Sequence, residues 1–251
     1  MLLSEATWPE VADRIAGGRR GIVIPIGSHE QHGPTGLIGT DALCPQIIAL
    51  EAEKVGDLCV APTFSVGMAQ HHMGFPGSMT LRPSTMIAAM VDWTASLTRA
   101  GFDRLYWFNG HGGNVATIEA AFSESYAALS LRGEPAPFAH RLCNWWNLPG
   151  IEKLCLELFP VGHGSHGTAS EVAVTYWAFP ERAALGARTL DPKIAPTGPI
   201  RDAADYRRRF PDGRIGSDPT QATPELGGRI VAAAQAALLV DARNFFSETA
   251  G

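Results

Sequence analysis

Gly21-Ile22-Val23-Ile24-Pro25-Ile26-Gly27, followed at once by Ser28-His29-Glu30-Gln31-His32-Gly33-Pro34, is the stretch on which the fold turns. Its first half is short, β-branched and bounded by glycine, which predicts a buried strand. Its second half is a polar, glycine-flanked loop carrying an acid and imidazoles. A buried strand that opens into such a loop is the repeating unit of a parallel sheet, whose ligands bind beyond the carboxyl ends of the strands.

Outward from this stretch the chain alternates strand and helix signals, predicting an α/β protein with a mainly parallel sheet. Upstream, Thr7-Trp8-Pro9-Glu10 reads as a capping box with an early proline, opening a helix that Gly17-Gly18 ends. Downstream, helices are expected over 42–55, 83–100 (capped by Ser84 or Thr85), 115–131, 151–159, 169–179 and 225–246. Further strands are expected over 59–64, 104–109 and 137–143. Residues 180–224 are rich in Pro, Gly, Arg and Asp. A span of that length is too long for a simple connection, so an irregular lid, arm or oligomer contact is expected within one domain covering 1–251.

Composition narrows the function. A hydrophobic fraction of 45% and a charged fraction of 18% over 251 residues exclude a disordered chain. The net charge of −5 argues against nucleic acid as partner, because phosphate binding needs clustered Lys and Arg. Arg207, Arg208 and Arg209 lie among aspartates and read as a solvated or inter-subunit surface. No apolar run reaches the length of a membrane span and no signal segment is evident, so a cytoplasmic protein without a membrane partner is expected. Cys44, Cys59, Cys143 and Cys155 are widely spaced in apolar stretches and read as reduced core residues.

Candidate chemistry gathers in loops after the expected strands. Glu30 and His32 are two apart, so both project from one face of an extended chain and can bind one divalent ion or two adjacent ones. Gly39-Thr40-Asp41 places a carboxylate at the start of a helix, and a plain N-cap is the alternative for Asp41. Asn109-Gly110-His111-Gly112-Gly113-Asn114 lies between strand and helix. Its alternative is a phosphate-cradling turn, although neither the P-loop nor the GxGxxG spacing is present. His166 and Glu171 form a third group, in which Glu171 can also serve its own helix. Of His71 and His72, adjacent and so oppositely directed in an extended chain, at most one belongs to the site, and packing is the expected role of His71.

Together these segments resemble the creatininase (creatinine amidohydrolase) family. The carrying motifs are Gly27 to Pro34, Gly39 to Asp41, His72-Met73-Gly74-Phe75-Pro76-Gly77, Asn109 to Asn114, and the His166/Glu171 pair. The resemblance spans about residues 20–180. It implies a three-layer α/β/α sandwich, a Zn or Mn centre of one or two ions per chain, a small-molecule substrate and a homo-oligomer, often a hexamer. It implies Glu30, Asp41 and His111 around one metal, and His32 and Asp41 at a second with Asp41 as the bridge. His166 and Glu171 match positions near the chemistry, His72, Gly112 and Gly113 positions facing substrate. Gly113 stands where true creatininases carry a glutamate that completes the second metal's shell, so either Glu171 or water replaces it or the second site is weak. Thr35-Gly36-Leu37 also departs from the family's usual H-L-P.

The expected reaction is hydrolysis of a small, cyclic amide by metal-activated water, with backbone N–H groups of Gly112 and Gly113 at the oxyanion and His166 or Glu171 carrying a proton. The same centre is compatible with a cyclic ketone or lactone, a formamide or a peptide. A metal-dependent isomerase or lyase has the same ligand set. A non-catalytic sugar- or nucleotide-binding protein on the same sheet predicts no need for Glu30 or for a metal.

Overall fold

The computed structural model describes residues 1–248. Its sheet holds three parallel strands in the order β1 (Gly21–Ile26), β2 (Arg104–Asn109), β3 (Ala139–Asn144). Every residue of β1 and β2 is buried, as the continuous apolar runs require when both faces of a sheet are covered. Alternation divides the core in two. Ile22, Ile24, Ile26, Leu105 and Trp107 face one side, with α3 (Pro83–Ala100) and α4 (Val115–Ser130). Val23, Tyr106 and Phe108 face the other, with α2 (Thr40–Val55), α6 (Ala169–Ala178) and α8 (Pro224–Phe246). These are the α, β and α layers expected from the sequence.

Register decides where the loops begin. Ile26 pairs with Asn109 and Asn109 with Asn144, so the strands end level. The loops at 27–39, 110–114 and 145–150 therefore leave from one edge, into one space.

Residues 59–64 correct one expectation: they form no regular strand. Cys59, Ala61 and Phe64 exchange backbone hydrogen bonds with Val23, Pro25 and Gly27, while Val60 bonds to Met1 and Leu3, and the contact amounts to isolated bridges. Pro62 has no N–H to give and interrupts the ladder. A second correction concerns the cap of α3: the expected bounds hold, but Pro83 occupies the first helical position after an extended Arg82, which makes no side-chain cap, so Ser84 and Thr85 lie inside the first turn. The helix α1 (Trp8–Ala16) does start as expected, with Thr7 N–H donating to Glu10 Oε2 at 2.7 Å. All four cysteines are free.

Residues 180–224 are less irregular than their composition suggests. They include a 3₁₀ segment, Pro180–Ala187, and α7 (Ala203–Arg209). Tyr206, Phe210 and Ile215 bury themselves with Phe75. Arg214 is fully buried, and its guanidinium donates to the carbonyls of Pro192, Lys193 and Ser217. One side chain thus satisfies the backbone of an otherwise ladder-free segment.

Candidate metal centre and active site

Asp41 stands at the centre of the site. It lies in the first turn of α2, whose N-cap is Gly39, and its backbone passes under two glycines. A Cβ at Gly27 or at Gly110 would overlap the Asp41 carbonyl, so the ends of β1 and β2 close on α2 only because both lack side chains. The Asp41 carboxylate, buried to 3% exposure, then splits its oxygens. Oδ1 lies 3.0 Å from His32 Nε2, and Oδ2 lies 2.9 Å from His111 Nδ1.

The outer nitrogen of each imidazole is spoken for. His32 Nδ1 sits 3.0 Å from the Glu30 carbonyl and His111 Nε2 sits 2.8 Å from the Met68 carbonyl. A carbonyl only accepts, so each ring carries its proton on that outer nitrogen when neutral. The inner nitrogen of a neutral ring then turns a lone pair on carboxylates. For His32 these are Asp41 and, at 3.9 Å, Glu171 Oε2; for His111 they are Asp41 and, at 3.3 Å, Glu30 Oε1. Lone pairs on both sides of such a gap require a cation between them. This is how histidine ligands are oriented in metal sites, with the far N–H anchored on a carbonyl.

Without a metal, protons have to serve. Burial opposes charge on His32, but Asp41 and Glu171 outweigh it and push its pKa up to about 10. On His111 burial is outweighed by Glu30 and Asp41, giving about 9. Burial pushes Asp41 upward too, yet His32 and His111 hold it well below the usual carboxylate range. Burial wins at Glu30 and Glu171, raising both. Among the described residues none donates a hydrogen bond to Glu30 Oε1 or Asp41 Oδ2, although imidazole nitrogens stand within ion-pair distance. The ring N–H vectors miss them. Orphaned buried carboxylate oxygens amid correctly anchored imidazoles fit divalent metal.

Two donor groups follow: Glu30, Asp41 and His111 converge, as do His32, Asp41 and Glu171, with Asp41 common to both. His166 joins a third group with Glu30 and His32. Glu171 divides its two oxygens between its helix and the cluster. Its Oε1 accepts from the Thr168 N–H at 2.5 Å, in a capping box, while Oε2 turns to His32.

The family model for creatininase, described as creatinine amidohydrolase, matches residues 4–240. The chain belongs to the creatininase family. Creatinine amidohydrolase of Pseudomonas putida is 27% identical over 191 residues, 72% of this chain and 73% of that one. A mycofactocin precursor peptide peptidase of Mycolicibacterium smegmatis is 32% identical over 106 residues, 40% of this chain and 42% of that one. A 3-dehydro-scyllo-inosose hydrolase of Thermotoga maritima is 33% identical over 92 residues, 36% and 30% of the two chains. Among solved structures, a mutant creatininase of Zn-Zn type superposes over 98% of both chains at 22% identity, with a TM-score of 0.86. A manganese creatininase gives 0.82 at 23% identity. The α/β fold expected from the sequence is the creatininase fold, and the chain is a metal-dependent hydrolase of that family. Its relatives carry three different substrate names, so membership leaves the substrate to the site.

In this creatininase-family hydrolase the residues singled out in the sequence converge. Glu30, His32, Asp41, His72, His111, His166 and Glu171 share one buried cluster. Gly112 and Gly113 open the turn before α4 and line the cavity with their backbones exposed. A Cβ at Gly113 would overlap His111 Nε2 as it is held on Met68. His71 is buried as expected, but it also lines the cavity, so packing is not its whole setting.

Gln31 is the residue that sequence reading missed. Its Oε1 accepts from Gly33 N–H at 2.7 Å, which fixes the amide, and its Nε2 donates to the Gly213 carbonyl at 3.0 Å. The remaining amide hydrogen meets His72 Nδ1 at 2.9 Å, so His72 carries its proton on Nε2, 2.9 Å from Glu30 Oε1. His166 Nε2 donates to the Gln31 carbonyl at 2.6 Å, which leaves its Nδ1 free toward Glu30 at 3.7 Å. Burial, with neighbouring imidazoles, lowers both His72 and His166 well below the usual range. Ser28 Oγ donates to Glu30 Oε2 at 2.9 Å. Ser28 and Gln31 sit inside the quoted motif, and their place between ligand-type residues was the available signal. Gly213 and Tyr206, which also donates to Gly213, reach the site from a distant segment and had none.

Proposed function

We propose that this chain hydrolyses a C–N bond of a small amide at a binuclear Zn or Mn centre. Glu30, Asp41 and His111 would hold one ion; His32, Asp41 and Glu171 would hold the other. The observation that carries this reading is the pair of imidazoles, each anchored outward on a carbonyl and each turned inward on the same Asp41 carboxylate. A bound divalent ion would polarise a carbonyl and make water acidic enough to ionise near neutral pH. The protein's own groups would do the rest. His166, neutral with a lone pair at Nδ1, takes up a proton and passes it to the departing nitrogen. His72, its Nδ1 held by the Gln31 amide, sets its Nε2 beside Glu30 at the cavity wall, with the N–H pointing past the carboxylate oxygen. The N–H groups of Gly112 and Gly113, in the turn before α4, face the carbonyl oxygen as charge builds on it. Glu171 takes the place of the carboxylate absent at Gly113.

The reading extends to the rest of the chain. It is one hydrolase domain over 1–251, with 180–224 closing one side of the cavity, in a cytoplasmic homo-oligomer, a hexamer by family resemblance. Among the described residues no helix is long and apolar enough to cross a membrane. Metal analysis after loading with Zn or Mn, alongside a panel of cyclic amides, formamides and cyclic ketones, tests the reading. Two equivalents per chain and amide turnover are expected. One equivalent would reject the binuclear centre, and turnover of a ketone alone would reject the C–N assignment.

A further inference from the structure

The cavity above the carboxylates is larger than a small ring demands. Its volume is about 480 Å³, well inside the roughly 300–1,000 Å³ of sites that take drug-sized ligands. It has two ends. The inner end is the cluster of Asp41, His111, His166 and Glu171; the outer end is walled by Trp146, Leu156 and Ile200, with the exposed Glu152 at the edge. Leu156 is 50% exposed and Ile200 is 48% exposed, an apolar rim continuous with the reactive end. Neither belongs to the apolar clusters that hold the fold together. Among the described residues that line the cavity there is no Arg or Lys, so a substrate carboxylate would find no side-chain cation at that outer end. It would find the Glu152 carboxylate instead, which α5 (Ile151–Leu158) presents in its first turn.

We infer that the substrate is an amide with an extended apolar or aromatic substituent, neutral or cationic at its far end, lying along Trp146, Leu156 and Ile200 with that end beside Glu152. This inference rests on the metal-dependent reading of the inner end and names the substrate class that the outer end selects. The physical basis is simple. Half-exposed leucine and isoleucine lose contact with water when an apolar group covers them, and an aromatic or cationic group is favoured over the faces of tryptophan. A carboxylate at the mouth attracts a cation and repels an anion, with a salt dependence that marks an exposed charge.

The test uses the zinc-loaded full chain and calorimetric titration with four hydroxamates, which chelate zinc whatever their tail. These are acetohydroxamate, benzohydroxamate, 4-(aminomethyl)benzohydroxamate and 4-carboxybenzohydroxamate. Benzohydroxamate should bind about tenfold tighter than acetohydroxamate, a difference of about 1.4 kcal/mol. The aminomethyl compound should bind at least about threefold tighter than the carboxy compound, with the gap closing in high salt and in Glu152→Gln. The double variant Leu156→Gln/Ile200→Gln should keep its acetohydroxamate affinity and lose the benzohydroxamate advantage. Equal binding of the acetyl and benzoyl compounds, or an advantage that survives the double variant, overturns the inference and leaves the metal centre standing. Failure of acetohydroxamate to bind the loaded wild-type protein overturns the metal reading, and the substrate class falls with it.

Discussion

The floor of the cavity and its rim are built on opposite principles. At the floor nearly every polar atom has its orientation set by the main chain: His32 by the Glu30 carbonyl, His111 by that of Met68, His166 by that of Gln31. The loops that carry them leave level strand ends, so their relative positions are fixed by the sheet. At the rim, Glu152, Leu156 and Ile200 stand half-exposed on a short helix and a ladder-free stretch, and few bonds hold them. The chemistry is thus tied to the fold, while specificity is carried by side chains that can change without disturbing it. Relatives with three substrate names around one fold are what such a division allows.

The sharpest way to break the floor is Asp41→Ala. Removing the carboxylate shared by both donor groups should reduce bound metal from two ions to none, by elemental analysis. Losing several kcal/mol of Lewis-acid stabilisation should cost at least ~10³-fold in hydrolysis, at about 1.4 kcal/mol per tenfold. Gly113→Glu probes the same floor in the opposite direction, by adding a carboxylate. Its Cβ would overlap the anchored His111 ring, so a zinc titration should show affinity lowered by roughly 10- to 100-fold, the scale of disturbed orienting contacts. Tighter binding would mean that the ring is free to move.

A third experiment separates the metal's role from the protons'. Burial pushes Glu30 up to about 8, so it is protonated at pH 7 in the metal-free chain, and His32 and His111 keep their inner protons to about pH 10 and about pH 9; loading zinc at pH 7 should therefore release about three protons per chain. The two histidine shifts set the sign of the pH dependence. Both folded-state values lie above the unfolded one of about 6.5, so the stability they give is complete below about pH 6.5 and is lost as pH rises through 9 and 10. The metal-free chain should therefore melt lower at pH 10 than at pH 7, and the loaded chain should not show that drop. The smallest expected effect is at the rim: Glu152→Gln should leave metal content unchanged by elemental analysis, and a loss there would tie rim to floor.

Much of the floor was legible in the sequence because it is local. Glu30 and His32 share a face through strand alternation, and glycines around His111 mark a turn at a strand end. The β2 strand was read to the residue because Arg104–Asn109 is apolar and abruptly bounded. The stretch 59–64 reads like a strand by composition, but Pro62 breaks its ladder, which composition does not weigh. The partners of Gln31 were not legible at all. They come from Gly213 and Tyr206, about 180 residues along the chain, through contacts that only packing creates. Arg214 is the same case: nothing in its Pro-, Gly- and Asp-rich stretch marks it out, yet it is fully buried.

The two glycines that admit Asp41 give the shared carboxylate a mechanical meaning. Gly27 ends one strand, Gly110 ends its neighbour, and the first turn of α2 rests in the notch they leave. The spacing between the two donor groups is therefore a main-chain dimension, like the distance between two bolt holes drilled in one plate. A lineage within this fold can exchange what lines the rim, yet it shifts the root of its shared carboxylate only by moving a helix against a sheet.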